Sequence, residues 1–338
     1  MVKISDIAKK CNVSISTVSK ALNGRTDLSQ QTSSRIRQIA HEMGYIPNAN
    51  ARILKTNRSY NIGVLFVDKT GSGLSHEYFS SILNSLKNEA EANGYDITFI
   101  SNQVVGNCTT YYEHAKYRGC DGVVIASVDF HDPQVIELVE SNIPTVTIDY
   151  VFDGHTSIMS DNVVGLHDIV EYLHRMGHRK IAFIHGENTA ITQKRLASFY
   201  KTCEEYGIDV PDDYVKEGMY HVPKLSGKAT RELLALDNPP TCIIYPDDYS
   251  SLAGITEIER SGLTVGKDIS IVGYDGIKIS RFIRPELTTY VQDSEEIGKM
   301  ATKKIVEMIE SPKTSVAEQV YVKGHLQEGK TVKALISE

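Results

Sequence analysis

Hydrophobic positions divide the chain at about residue 60. Before it, apolar residues recur at helical spacing and no strand is predicted; after it, short apolar runs alternate with amphipathic stretches. The predicted strands are 61–67, 97–100, 122–127, 144–148, 180–185, 242–245 and 269–274. The predicted helices among them include 77–93, 163–176, 190–206, 225–236 and 248–261.

The strands after residue 60 show little polar alternation, which is typical of parallel sheets covered by helices on both faces. In a chain of 338 residues this pattern predicts two Rossmann-like subdomains with a cleft between them. The predicted fold class is therefore α/β: an all-α head followed by two parallel-sheet subdomains.

The first 45 residues predict three short helices arranged as a helix-turn-helix with a third supporting helix. Ser5, Ser14 and Ser29 are the expected N-caps, and Asn12 lies where the turn needs a residue that tolerates left-handed backbone. The third helix is expected to end at Gly44. A small helical domain without a DNA role would show a similar pattern.

The second predicted helix has a buried face and an outward face. Val18 and Leu22 share the inner face at i and i+4 spacing. The residues expected to project outward are Ile15, Ser16, Ser19 and Lys20. In a helix-turn-helix, these positions near the start of the second helix reach base edges in the major groove.

Charge separates the head from the body. Residues 1–60 hold ten Lys and Arg and three acidic residues, a net charge of +7, whereas the remainder carries −14. A basic head on an acidic body indicates that the head alone meets a polyanion, although a merely solvated surface has the same composition.

A second candidate DNA contact follows Pro47 in the segment NANARILKTN. Alone it would be a marginal helix, because so short a segment cannot offset the cost of helix nucleation. It could fold when paired with its copy on a partner chain and laid on DNA. Leu54 would then wedge into the minor groove, with Arg52 and Lys55 beside the phosphates. A plain interdomain linker is the alternative.

Taken together, these motifs resemble the LacI/GalR family of repressors over essentially the whole chain. The family pattern I-x-D-[IV]-A-x-x-x-x-V-S-x-x-T-V-S-[RK]-x-L-N is matched from Ile4 to Asn23, and Y-x-P-N is matched at Tyr45–Asn48. The resemblance implies that Ile15 and Ser16 set operator preference. Lys20 replaces the more usual Arg and so lacks the planar fork that reads guanine. The residues implied to contact mainly phosphate are Ser5, Ser14, Thr17, Ser19, Asn23 and Ser29.

The resemblance also implies a domain organisation. A DNA-binding domain at 1–46 and a hinge helix with linker at 47–60 precede a sensor whose chain crosses between subdomains three times. We expect the N-subdomain at 61–161 plus 292–322 and the C-subdomain at 162–291 plus 323–338. Body motifs that fit the family are LxxxGHRKIAFI (173–184), RLAS-F (195–199), DISIVGYDG (268–276) and RPELTT (284–289).

Four polar residues, which we expect at the ends of predicted strands or in the turns after them, mark a candidate effector site. They are Asp149, Arg195, Asp247 (or its neighbour Asp248) and Asp275, and each matches a position that touches effector in the family. Carboxylates and a guanidinium can bond several hydroxyls at once, which suits a sugar. Each aspartate could instead be a helix N-cap.

Aromatic residues could add a sugar-stacking face to this site. Tyr78 and Phe79 follow the first strand, with Tyr249 and Tyr274 further along the chain; such residues are more often core. Ser198 stands where the family usually has glycine, and Ala126 stands where a polar group sometimes contacts ligand. Both departures could reshape the pocket.

Two other classes of protein fit the sequence less well. We find no Rossmann glycine fingerprint, Walker A, G-x-S-x-G or H-E-x-x-H pattern, so we expect neither an enzyme nor a cofactor or metal site. A secreted binding protein would begin with an apolar signal segment, whereas this chain begins MVKISDIAKK. Its five scattered cysteines suit a reducing cytoplasm, and no apolar run is long enough to span a bilayer.

The expected function is a sequence-specific repressor that binds a palindromic operator as a homodimer. A small molecule, expected to be a sugar, would bind the sensor cleft and release the DNA. The alternative is a corepressor system, in which a ligand or a phosphorylated carrier protein strengthens DNA binding. Acidic groups in the predicted cleft favour a neutral ligand.

Overall fold

The computed structural model describes residues 2–22, 28–45, 58–67, 73–104 and 107–335. The chain forms two compact units, Met1–Ser59 and Tyr60–Glu338.

The first unit contains the three predicted helices, α1 (Ile4–Cys11), α2 (Ile15–Leu22) and α3 (Gln30–Glu42). Ile7, Val18 and Ile36, one from each helix, are almost completely buried and form the centre of a small core. Asn12 has φ of 53°, the left-handed conformation predicted for the turn between α1 and α2.

Two of the three predicted helix caps are confirmed. Ser14 Oγ accepts from the backbone N–H of Thr17 at 3.1 Å, and Ser29 Oγ accepts from that of Thr32 at 3.2 Å. The prediction for Ser5 is wrong, because α1 begins earlier, at Ile4. The Asp6 carboxylate instead accepts from the backbone N–H of Lys3 at 2.9 Å and satisfies the start of the helix.

The second unit alternates strands with helices as the apolar runs predict. In chain order its strands are β1 (Asn61–Phe66), β2 (Asp96–Ile100), β3 (Gln103–Val104), β4 (Asn107–Cys108), β5 (Gly122–Ala126), β6 (Thr145–Ile148), β7 (Thr156–Ser160), β8 (Ile181–His185), β9 (Val215–Glu217), β10 (Cys242–Ile244), β11 (Ser270–Asp275), β12 (Thr288–Val291), β13 (Gln319–Val322) and β14 (His325–Gln327). Its helices are α4 (Glu77–Ala92), α5 (Tyr111–Tyr117), α6 (Pro133–Val139), α7 (Asn162–Arg175), α8 (Ala190–Glu205), α9 (Pro223–Leu234), α10 (Asp248–Arg260), α11 (Ile279–Phe282) and α12 (Ser294–Glu310). Short 3₁₀ turns cover Gly73–Ser75 and Asp212–Tyr214.

Two large sheets organise these elements. In the described residues the first has the order β13-β7-β6-β5-β1-β2 and the second β14-β12-β11-β10-β8-β9. Every pairing within them is parallel except that of β12 with β14. The protein is therefore of the α/β class, with two parallel-sheet subdomains and a helical head.

The chain passes between the two sheets at three places. It leaves the first sheet after β7, returns after β12 through α12, and leaves again between β13 and β14. Helix α12 packs on the first sheet, where Ile305 is fully buried beside Val124 and Ile62. We propose 61–161 plus 292–322 and 162–291 plus 323–338 as the limits of the N- and C-subdomains.

Membrane spanning was assessed for the helices of the described part of the chain. None of them combines the length and the apolar character needed to cross a bilayer.

Candidate functional site

Residues with left-handed backbone cluster where the body strands end. Ser127, Asp149, Met219, His221 and Asp275 have φ between 50° and 98°, and each follows or ends a strand at its carboxyl edge. Non-glycine residues rarely adopt this conformation, and where they do it is often at functional sites. The carboxyl edges of both sheets are therefore the first place to look for a ligand site.

Arg195 lies at the centre of this region on the buried face of α8. Its side chain is held by two hydrogen bonds, from Nε to Asn162 Oδ1 at 2.7 Å and from Nη1 to the Pro246 carbonyl at 2.9 Å. The guanidinium carbon is 3.6 Å from the centre of the Tyr274 ring and 5.4 Å from that of Tyr220. These contacts fix the plane of the guanidinium and leave Nη2 without a hydrogen bond among the described residues.

Asp149 and Asp275 bring one carboxyl group from each subdomain toward Arg195. Asp149 accepts from the Ser160 N–H at 2.8 Å and from the Tyr78 hydroxyl at 3.2 Å. Burial raises the pKa of both carboxyl groups, that of Asp275 to about 6, although Arg195 opposes the shift in each case.

Asp275 keeps one oxygen available. Its Oδ1 accepts from Gln292 Nε2 at 2.7 Å, and Oδ2 accepts no hydrogen bond among the described residues. With its pKa raised to about 6, the group is mostly ionised at neutral pH, and its second oxygen can accept a hydrogen bond from a hydroxyl-bearing ligand.

Asp247 and Asp248 accept hydrogen bonds from several protein groups at the carboxyl edge of the second sheet. Asp247 is fully buried and caps α10 through the Ser250 N–H at 2.8 Å, and its second oxygen accepts from the His221 N–H at 2.9 Å. Asp248 accepts from the Ile277 N–H at 2.9 Å and from the Thr289 hydroxyl at 2.6 Å. Asp247 is therefore a helix N-cap, the alternative that the sequence analysis gave for it. Both of its carboxylate oxygens accept hydrogen bonds from protein groups, and one of these bonds positions His221.

Glycine at position 273 is required beside this pair. A Cβ there would collide with the carboxylate of Asp248, so the close approach of β11 to the start of α10 needs the missing side chain. Burial and the neighbouring Asp275 raise the pKa of Asp248 well above its ordinary value.

A loop that the sequence analysis did not identify brings two rings to the site. The backbone N–H of Tyr220 donates to Glu187 Oε2 at 2.9 Å, and the Tyr220 hydroxyl lies 3.0 Å from Thr192 Oγ1. The His221 ring follows it, with Nδ1 3.8 Å from Asp247 Oδ1. This loop comes after β9, whose short and polar sequence VKE carries no strand signal.

Tyr78 and Phe79 both lie at the start of α4, on the side of the first sheet. Tyr78 is buried, and its hydroxyl is used by Asp149; burial followed by the Asp149 charge raises the pKa of that phenol. Phe79 is half-buried and packs on Phe66 and His76, with ring centres 5.5 Å and 4.9 Å apart. Phe79 therefore forms an aromatic wall, whereas Tyr78 acts as a hydrogen-bond donor.

Helix α7 carries the metal-like cluster His167, Asp168 and Glu171, whose ligand atoms lie within 4.8 Å of one another. His167 Nδ1 lies 3.4 Å from Asp168 Oδ1, and the Tyr206 hydroxyl donates to Glu171 Oε1 at 3.3 Å. These contacts account for the cluster, and we propose no ion there.

Three of the four residues predicted to project outward from α2 are exposed, and Ser19 is the exception. Ile15 is 54% exposed and Ser16 and Lys20 are also exposed, whereas Thr17 and Ser19 are half-buried. Ser14 Oγ lies 2.7 Å from Ser16 Oγ and 2.8 Å from Thr17 Oγ1, so the hydroxyls at the start of α2 form one connected group.

Several residues predicted to contact DNA lie outside the described part of the chain. These are Asn23, Arg52, Leu54 and Lys55. Ser5 and Ser29 are described and are partly or fully exposed at the starts of α1 and α3.

Comparison with known proteins extends over both units. Residues 3–48 match the family of bacterial regulatory proteins of the lacI type, and residues 170–332 match the periplasmic binding protein-like domain. The probable HTH-type transcriptional repressor ExuR of Bacillus subtilis (strain 168) is 32% identical over 319 residues, which cover 93% of each chain. The HTH-type transcriptional repressor PurR of Pasteurella multocida (strain Pm70) is 31% identical over 314 residues, covering 91% of this chain and 92% of that protein.

Among solved structures, the lac repressor dimer bound to operator and the anti-inducer ONPF matches with a TM-score of 0.80 and 26% identity. That match covers 98% of this chain and 99% of the repressor chain. The relatives are transcriptional repressors, and the helical head and the two-sheet body agree with this relationship. The chain belongs to the LacI family of DNA-binding transcriptional repressors.

Proposed function

We propose that this repressor binds a palindromic operator as a homodimer and releases it when a neutral sugar or related polyol binds between the two body subdomains. The proposal rests mainly on the polar side-chain groups that surround Arg195. Arg195, Asp275 and the Asp149–Tyr78 pair lie close enough for their charges to act on one another, beside aromatic rings at the carboxyl edges of both sheets. Such a mixture of donors and acceptors with apolar faces suits a hydroxyl-rich ring.

The reading of operator sequence is assigned to the exposed side of α2. Ile15 and Ser16 would reach base edges, and Lys20 would supply a point charge where a planar guanidinium is more usual. Ser5, Ser14, Thr17, Ser19 and Ser29, with Asn23, would contact mainly phosphate. Leu54, Arg52 and Lys55 would complete the interface in the minor groove.

A second copy of the chain is the proposed partner of one apolar groove and of the exposed Phe282 on the body. A groove of about 580 Å³ runs between α4 and β2, where Leu74 and Phe99 are 58% and 48% exposed. Phe282 in α11 is 75% exposed. A contiguous apolar groove is typical of protein interfaces, whereas a single exposed ring such as Phe282 is common on protein surfaces. The similarity to a repressor solved as a dimer favours a second copy as the occupant.

Effector release is proposed to act through closure of the body. A ligand that touches residues of both subdomains binds the closed arrangement better and raises its population. The change in operator affinity is limited by the difference in ligand affinity between the two arrangements.

The test is fluorescence anisotropy of a labelled palindromic duplex at one stated salt concentration, followed by a panel of sugars. A scrambled duplex of equal length is the control for non-specific binding. Specific binding reversed by one sugar supports the proposal and identifies the effector. Binding that tightens with a ligand replaces release by corepression, and binding without sequence preference removes the operator-reading proposal.

A further inference from the structure

Two contacts join the subdomains beside the cleft. The rings of His76 and His221 lie with centres 4.0 Å apart at an interplanar angle of 68°. The carboxylate of the next residue, Glu77, accepts from the backbone N–H of Lys278 at 2.8 Å. His76 and Glu77 lie at the start of α4 on the first sheet, whereas His221 and Lys278 belong to loops of the second. Both contacts therefore form only when these two edges are close together.

The loop that carries His221 is held in a restrained conformation. Met219 and His221 have φ of 55° and 54°, a region of backbone conformation that non-glycine residues rarely adopt. Two carboxylates hold the loop, Glu187 through the Tyr220 N–H and Asp247 through the His221 N–H. The backbone conformation is thus maintained by one buried and one partly buried carboxylate, which together fix the direction of the His221 ring.

His76 connects the His76–His221 ring contact to the proposed effector site. It is 6% exposed and occupies the position just before α4, with its ring 4.9 Å from that of Phe79. On the other side, the His221 ring lies 6.1 Å from that of Tyr249. The two histidines therefore lie within a continuous row of rings that crosses from one subdomain to the other.

We propose that the His76–His221 pair is a latch that stabilises the closed arrangement of the body and so sets how much effector is needed for release. Its regulatory meaning rests on the function proposed above. The latch itself is a property of the body alone, because each contact lies within Tyr60–Glu338. Loss of either ring shifts the body toward the open arrangement before any ligand is added.

The experiment measures the closed-to-open ratio by single-molecule energy transfer in the full chain, without ligand. Dyes are attached at His131→Cys in the N-subdomain and Lys228→Cys in the C-subdomain, whose native side chains are 85% and 67% exposed. Burial raises the pKa of the Cys120 and Cys203 thiols to about 12, so these thiols react slowly at neutral pH. Cys11 and Cys242 are buried, and Cys108 is replaced by serine. Labelled chain is diluted in excess unlabelled chain so that each dimer carries one dye pair.

The variants are His76→Asn, His221→Asn and both together. Asparagine removes the ring and tolerates the left-handed backbone at position 221. We expect each single variant to lower the closed-to-open ratio about 2- to 10-fold, the range for one aromatic contact, and the double variant to lower it no further. His167→Asn, which removes a half-buried ring from α7, is the matched control and should leave the ratio unchanged.

Unchanged ratios in both single variants would overturn the latch, and so would effects that simply add in the double variant. Operator binding by the same chains separates this result from the proposed function. A wild-type chain that shows the expected ratios but no sequence-specific DNA binding would remove the repressor mechanism and keep the latch. Normal operator binding with unchanged closed-to-open ratios would keep the repressor mechanism and remove the latch.

Discussion

Arg195 lies over the ring of Tyr274, with the guanidinium carbon 3.6 Å from the ring centre, and the same side chain is anchored to Asn162 and Pro246. Three neighbouring residues thus hold the Arg195 side chain in place before a ligand arrives. Preorganisation of this kind reduces the entropy that binding must overcome.

Replacing Arg195 with Lys should abolish release by the effector and leave operator binding intact. Lysine keeps the positive charge but cannot make the fork of hydrogen bonds or stack on Tyr274. The measurement is anisotropy of the operator duplex with and without the sugar that releases the wild type. Lys201→Ala, at an exposed position further along α8, is the control and should remain inducible. A normally inducible Arg195→Lys chain would rule out a ligand role for the guanidinium.

Ser14 and Ile15 are neighbours whose replacement should have different consequences. Ser14→Ala removes the N-cap of α2, costs about 1 kcal/mol of head stability and weakens binding to every duplex. Ile15→Ala removes an exposed side chain, should change stability by less than about 0.5 kcal/mol and should change which duplex is preferred. Thermal unfolding and binding to a set of operator variants separate the two effects. Equal weakening on all duplexes by Ile15→Ala would exclude Ile15 from sequence reading.

Replacing Leu54 with Ala should weaken operator binding and leave sugar affinity unchanged, because the proposed wedge lies in the hinge segment and not in the body. Leu54→Met keeps a long apolar side chain and should retain most of the affinity. Anisotropy gives the DNA affinity, and calorimetry with the releasing sugar gives the effector affinity. Parallel loss of both affinities would show that Leu54 acts on the fold as a whole.

Replacing Phe282 with Asp should dissociate the proposed homodimer. A charge in an apolar interface must be desolvated on association, which weakens the contact. Sedimentation velocity at micromolar concentration should then show a monomer, and affinity for the full palindrome should fall toward that for a half-site. Tyr117→Asp, at an aromatic residue of α5 that is 71% exposed, should remain dimeric. A dimeric Phe282→Asp chain would place the interface elsewhere.

His178 should make the protein less stable in mild acid. Burial lowers its pKa to about 4, because the ring is enclosed between Thr241 and the carbonyl of Lys333. The unfolded chain binds a proton at about pH 6.5, so stability is full above that pH and falls as pH drops toward 4. The loss through this residue should be about 2 kcal/mol after allowance for solvent access to the ring.

The measurement is urea unfolding at pH 7.5 and pH 5 for wild type and His178→Asn. Asp275 acts with the opposite sign, because its raised pKa makes the folded chain bind a proton more readily, so only the difference between the two chains isolates His178. His131→Asn, at a residue whose side chain is 85% exposed, should behave like wild type. Identical pH dependence in His178→Asn and wild type would contradict the prediction.

The central strands could be predicted from sequence because they are buried on both faces. β5 and β6 consist entirely of buried positions, and β5 (GVVIA) gives a continuous apolar run, whereas in β6 (TVTI) β-branched threonines alternate with Val146 and Ile148. Edge strands carry no such signal: β9 reads VKE, and in β13 (QVYV) only the last residue is buried. α12 was also absent from the predicted helices, although its position on the first sheet determines where the chain returns from the second.

The sequence could predict only those site residues that belong to a local motif. Arg195 and Asp275 were located by their motifs and lie where polar groups meet. His221 could not be located, because its position depends on a polar edge strand, on Asp247 and on a ring from the other subdomain. The role of Asp247 likewise follows from its hydrogen bonds to Ser250 and the His221 backbone, which no local pattern encodes.

The left-handed residues at the strand ends bear on attempts to give this repressor a new effector. At Ser127, Asp149, Met219, His221 and Asp275 the backbone tolerates Asn, Asp or Gly, but β-branched side chains would clash with their own main chain. Saturation of these positions would therefore yield mostly misfolded variants. Tyr78, Phe79 and Tyr220 have ordinary backbone and border the same space, so a combinatorial library should be concentrated there. The scaffold itself thus separates the positions that can be varied from those that must be kept.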